Sequence, residues 1–123
     1  MLSRALLALT LIFALSMVIM AAPLDKRGSS YSGDGTFYEV GLGSCGSTNK
    51  DTQMVAALSS SLMGSGKYCG KSLTAKSDSG SVTVKVVDTC PSCSEGDIDF
   101  SPAAFKKLGS LDEGRISITW SFN

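Results

Sequence analysis

Histidine is absent from this 123-residue chain. Without imidazole, neither a Ser-His-Asp nor a Cys-His nucleophile can be assembled. Cysteine is scarce: Cys45, Cys69, Cys90 and Cys93 are the whole set, and only Cys90 and Cys93 have C-x-x-C spacing. One such pair without a second or a histidine argues against a four-ligand zinc site, so no metal is expected. No basic run exceeds Lys106-Lys107, and nothing marks a nucleic-acid or anionic-lipid partner. There is no flavin-binding motif, and no cofactor is expected. Beyond the apolar start there is no repeat, coiled coil or low-complexity tract. Carboxylates are what remain for acid-base chemistry.

The chain opens on Arg4 and a long apolar run, Ala5 to Met20, ending in Ala21-Ala22 before Pro23. This reads as a signal peptide over residues 1–22; the rival is a membrane anchor, since the run is nearly long enough to span a bilayer. The small residues at its end and the abrupt change of composition favour cleavage, hence a secreted protein, extracellular or in a cell wall. Leu24-Asp25-Lys26-Arg27 closes a short pro-segment, 23–27, and resembles the dibasic site that kexin-type proteases cut in fungal secretory precursors. The remaining unit, 28–123, is one small domain near the size at which burial alone gives modest stability. Loss of Arg4, Lys26, Arg27 and Asp25 leaves eight basic against ten acidic side chains, a net charge of −2.

In an oxidising compartment four cysteines read as two disulfides, in one of three pairings, with a redox C-x-x-C as the rival reading. Gly28 to Gly35 is Gly/Ser-rich and is expected to be a frayed arm, with order starting near Asp34. Gly35–Val40 reads as the first strand, Lys71–Ala75 and Ser81–Val87 as two more around a turn at Lys76–Gly80, and Gly114–Phe122 as the last. The segment MVAALSSSLMG is ambiguous between strand and helix. Ser101 and Pro102 supply an N-cap and N1 proline for a helix over Ala103–Leu108, closed by Gly109. Six short strands and one helix suggest a small closed barrel.

The segment Val82–Phe105, VTVKVVDTCPSCSEGDIDFSPAAF, holds the candidate chemistry. The alternation of SVTVKVV places Asp88 at a strand end, and in DIDF the apolar Ile98 and Phe100 face away from Asp99. Asp97 is expected on the face of Asp99, and the two strand ends are expected to be adjacent, so the three carboxylates could cluster. An acid beside apolar walls has its pKa raised and can donate a proton. The structural alternative is that these acids cap turns or the following helix.

Five blocks, GTFYEVGLGSCG, CGKSLTAK, VTVKVVDTCPSC, DIDFSPAAF and RISITWSF, resemble in this order the double-psi β-barrel domain. Expansins, barwin, rare lipoprotein A and small secreted fungal proteins share that domain. The similarity covers Gly33 to Phe122. It implies a mainly β fold, a six-stranded double-psi β-barrel with one or two short helices and a polysaccharide-binding groove, and a fungal source. It also implies a strand at MVAALS and a helical turn over Ser60–Met63, and it adds support for the pairing Cys45–Cys69 with Cys90–Cys93. The longer bridge would then contribute about 3 kcal/mol by restricting the unfolded chain.

By the same resemblance Thr36 and Tyr38 match the threonine and tyrosine of the expansin ATFY block, and Asp88 the aspartate closing its VTD strand. Asp99 matches the aspartate of the HFDLS motif, the acid of related wall-lytic enzymes. Departures are Asp97 in place of that histidine and Cys90 in place of a groove tyrosine. Val40 stands near the catalytic base of family-45 endoglucanases, with Glu39 one residue off and on the opposite face of a strand. An inverting hydrolase needs two carboxyl groups around a water, and only Asp99 is supplied convincingly. The expectation is a monomeric, wall-associated barrel that binds polysaccharide through Thr36, Tyr38, Asp88, Asp97 and Asp99 without hydrolysing it. The alternatives are a protein-interaction module (a protease inhibitor, or a secreted effector meeting a host or self protein) and a lytic transglycosylase or endoglucanase-like enzyme with Asp99 as general acid.

Overall fold

A computed structural model describes residues 29–123; the expected signal peptide and pro-segment lie outside the described residues. Six strands close into a barrel: β1 (Ser30–Phe37), β2 (Val55–Ser59), β3 (Ser72–Lys76), β4 (Ser81–Cys90), β5 (Ile98–Phe100) and β6 (Ile116–Phe122). Their order around the barrel is β1-β5-β2-β4-β3-β6. The pairs β1/β5 and β2/β4 are parallel and the other four antiparallel. The fold is the six-stranded barrel, mainly β with two short helices, that the sequence suggests.

Alternation builds the core. Val82, Val84 and Val86 of β4 point inward while Ser81, Thr83 and Lys85 are exposed. With Leu58, Leu73, Ile98, Phe100 and Phe105 they form one apolar cluster, each large side chain contributing about 1.5–3 kcal/mol by burial. All five residues of β2 are buried. That is why VAALS shows no period and its type is illegible from propensity. Ser59 caps the helical turn α1 (Ser60–Met63), accepting from the Leu62 amide at 3.3 Å.

The first strand starts earlier than the composition suggests. Ser30 through Gly35 pair with β6, and Tyr31 stacks on Trp120 with ring centroids 4.3 Å apart. This one aromatic residue docks an otherwise Gly/Ser-rich arm. The indole N–H of Trp120 donates to the Gly96 carbonyl at 2.9 Å, tying the β4–β5 turn to the same seam. At the other end β1 stops at Phe37, so Glu39 and Val40 are not strand neighbours on opposite faces; the Val40 amide instead donates to Asp51.

The second helix, α2 (Pro102–Phe105), is capped by Ser101, whose hydroxyl accepts from Ala104 and donates to the Gln53 carbonyl. It is shorter than Ala103–Leu108. The chain turns after Lys106, burying Leu108, and Gly109 does not take a left-handed conformation. The disulfides join Cys45 to Cys69 and Cys90 to Cys93.

Candidate functional site

Register assembles the site. Asp99 on β5 lies opposite Thr36 on one side and Ala57 on the other, and Ala57 in turn lies opposite Asp88. Thr36, Asp99, Ala57 and Asp88 thus form one row across β1, β5, β2 and β4. The two aspartates are not at adjacent strand ends: β2 runs between β5 and β4. At two inter-strand spacings their Cα atoms stand about 10 Å apart. Strand β4 also continues past Asp88 to Cys90, because Leu58 and Ser59 pair with Thr89 and Cys90.

Asp99 is half-buried and accepts a 2.9 Å hydrogen bond from the Thr36 hydroxyl. Its pKa is raised, chiefly by burial, against the lowering effects of the Thr36 hydrogen bond and the Arg115 charge; Asp88 adds to the rise. Asp99 therefore holds a proton to higher pH than a solvated aspartate does.

Asp88 is fixed from the main chain. Its Oδ1 accepts from the amides of Ser44 and Thr89, both at 2.8 Å. Ser44 is a contributor that sequence reasoning missed. Its signal is the doubled Val86-Val87, where alternation breaks and both residues are buried.

Tyr38 follows the end of β1, its amide bonded to the Phe100 carbonyl at 3.0 Å. Its hydroxyl is buried and has no hydrogen-bond partner among the described residues. The phenol pKa is pushed far up, first by burial, then by the negative charges of Asp88 and Asp99. Asp88 is near enough to contribute to this shift, yet the pair does not meet hydrogen-bond geometry. Tyr38 thus presents ring surface, with its hydroxyl turned in toward the carboxylates.

Asp97 is placed differently from Asp99. It precedes β5, and its two oxygens accept from the amides of Asp34 (2.9 Å) and Ser94 (3.0 Å). It clamps the β4–β5 turn to β1 and is not brought into the Thr36–Asp88 row.

What the arrangement offers is an acidic row with one carboxyl of raised pKa, one anchored carboxylate and an aromatic ring. One cleft of about 280 Å³ involves Asp78, Glu113 and Arg115, and another of about 250 Å³ lies beside the Cys45–Cys69 bridge; neither is lined by Thr36, Asp88 or Asp99. A row spread across four strands suits an extended chain better than a small molecule, which takes a concave pocket.

Residues 30–120 match the double-psi β-barrel family model described as lytic transglycolase. An EG45-like domain containing protein of Citrus jambhiri is 31% identical over 109 residues, covering 76% of this chain and 83% of that protein. The structure of a Streptomyces papain inhibitor superposes with a TM-score of 0.70 at 33% identity, covering 76% of this chain and 94% of the inhibitor. An expansin of Clavibacter michiganensis, solved in complex with cellohexaose, superposes with a TM-score of 0.72 at 28% identity; 77% of this chain covers half of that one.

Proposed function

Because the chain belongs to the lytic transglycolase family of double-psi β-barrels, we propose that it is a secreted, wall-associated, expansin-like barrel. In this reading it binds polysaccharide along the Thr36–Asp99–Ala57–Asp88 row without hydrolysing it. The observation that carries this is the register that sets two carboxylates on either side of Ala57, beside Tyr38. The likeness to an expansin solved with cellohexaose supports the ligand class. Binding without hydrolysis is supported by Val40, which stands near the position where the resemblance to family-45 endoglucanases puts a base, and by the exposed Glu39 one residue off, so a second catalytic carboxyl is not supplied there. Asp97 is left out of the groove on this reading.

The test is retention of residues 28–123 on insoluble cellulose, chitin and β-glucan, with soluble products followed by mass spectrometry. Retention that is weakened in Asp99→Ala, without released sugars, is the expected result. Absence of retention on every polymer would sink the reading. Release of anhydro or reducing sugars that stops in Asp99→Asn would replace it with a glycan-cleaving enzyme using Asp99 as acid.

A second reading, a protein-interaction module, is favoured by the 94% coverage of the papain inhibitor. Its surface would be the loop 41–49, where Leu42 is 75% exposed. Inhibition of papain by the domain, lost in Leu42→Asp, is the outcome that reading requires.

A further inference from the structure

The ladder between β2 and β4 is irregular at one point: Ala56 pairs with Val86 and Ala57 with Asp88, so Val87 is skipped. A bulge of this kind re-aims the neighbouring side chain and leaves a main-chain group without its ladder partner. Here the Val87 carbonyl is taken by the Cys45 amide at 3.3 Å. The loop 41–49 packs on the bulge through successive residues. An added Cβ on Gly43 would lie 2.2 Å from the Val87 oxygen, the Ser44 amide donates to Asp88 Oδ1, and the Ser44 and Thr89 hydroxyls meet at 2.7 Å.

Gly43 is buried and Cys45 packs against the core, while most of the rest of the loop faces solvent. Leu42 and Ser44 are exposed, as are Gly46, Ser47 and Thr48, and the Leu42–Thr48 bridge closes the loop only on itself. The Cys45–Cys69 bond adds a covalent tether to these contacts with β4. The far side of that bond is seated on the barrel: the Gly70 amide donates to the Val86 carbonyl at 2.9 Å, and Tyr68 stacks on Phe122.

We propose that the tethered loop is the positioning element of the groove: the Cys45–Cys69 bond keeps the Ser44 amide on Asp88, and ligand affinity depends on a cross-link outside the groove. The inference rests on the polysaccharide reading above. Ser44 is a positioning residue that acts through Asp88.

Two readouts test it on residues 28–123, with amorphous cellulose as the probe. Amide exchange by NMR in Cys45→Ser/Cys69→Ser is expected to accelerate at Ser44 about tenfold more than at Val84, the scale of one lost charge-assisted hydrogen bond. Retention per folded molecule is expected to fall about tenfold in the same variant and in Ser44→Pro, which removes the N–H. Ser44→Ala keeps the N–H and is expected to recover most of that loss. Unchanged Ser44 exchange overturns the tether, and wild-type retention in the bridge variant, or equal loss in Ser44→Ala and Ser44→Pro, overturns the positioning role. A wild-type protein that no polymer retains overturns the groove reading instead, a separate result from the exchange measurement.

Discussion

Asp97 and Asp99 stand two residues apart on either side of the buried Ile98, yet they belong to two different regions of the molecule. Asp97 sits in the seam where the β4–β5 turn meets β1, both its oxygens occupied by main-chain amides. Asp99 sits in the acidic row, held by one side-chain hydroxyl and half-buried, with a raised pKa. The seam is built from backbone: Gly33 and Gly96 approach so closely that a Cβ on either would lie 2.0–2.3 Å from the opposing carbonyl oxygen. The row is built from side chains on neighbouring strands. A carboxylate with both oxygens satisfied by amides is committed to the fold, whereas one paired with a hydroxyl and partly desolvated keeps its proton chemistry available.

The contrast can be broken most forcefully at the seam. Gly96→Ala forces a methyl into the Ser32 carbonyl and is expected to destabilise by about 3 kcal/mol in urea unfolding; a loss below about 0.5 kcal/mol would mean the backbones separate freely. Asp97→Ala strips two amides of their acceptor and should lose about 2 kcal/mol. Asp99→Ala should stay within about 1 kcal/mol of wild type while retention on polysaccharide drops about tenfold. Reversal of the two profiles would erase the distinction between seam and row.

A pH series sharpens it further. An acid whose folded-state pKa is raised binds its proton more tightly folded than unfolded. Its stabilisation is full below the unfolded value and is lost as pH rises through the folded one. The stability of wild type relative to Asp99→Asn is therefore expected to increase as pH falls from neutral through the raised value. A flat difference across that range would remove the desolvation argument. The smallest effect belongs to Tyr38→Phe, which deletes a buried hydroxyl without a partner and should leave stability unchanged or raise it by up to about 1 kcal/mol.

Much of the barrel was legible because four strands carry period-two patterning or strong β propensity, and Ser101-Pro102 announces a helix start. Strand β2 was not, since burial on both faces removes the alternation that distinguishes strand from helix; only the family resemblance resolved it. The start of β1 was hidden because its order comes from Tyr31 meeting Trp120, a contact between residues 89 positions apart. The side of Asp99 followed from Ile98 and Phe100. The separate placement of Asp97 did not, because β5 begins only at Ile98 and its partners, the amides of Asp34 and Ser94, carry no side-chain signature. Consecutive strands suggest that Asp88 and Asp99 are neighbours. The barrel's parallel pairings insert β2 between them, and no local pattern encodes that.

Trp120 is the only tryptophan in the chain, and it sits where β6 meets two distant segments: its ring stacks on Tyr31 of β1 and its N–H donates to Gly96 of the β4–β5 turn, with Phe122 of its own strand packed at a right angle beside it. Its fluorescence is consequently a built-in optical gauge of seam closure. Stopped-flow emission would time the docking of the β1 arm against β6 with no label added, and quenching by acrylamide would report how often that arm lifts away.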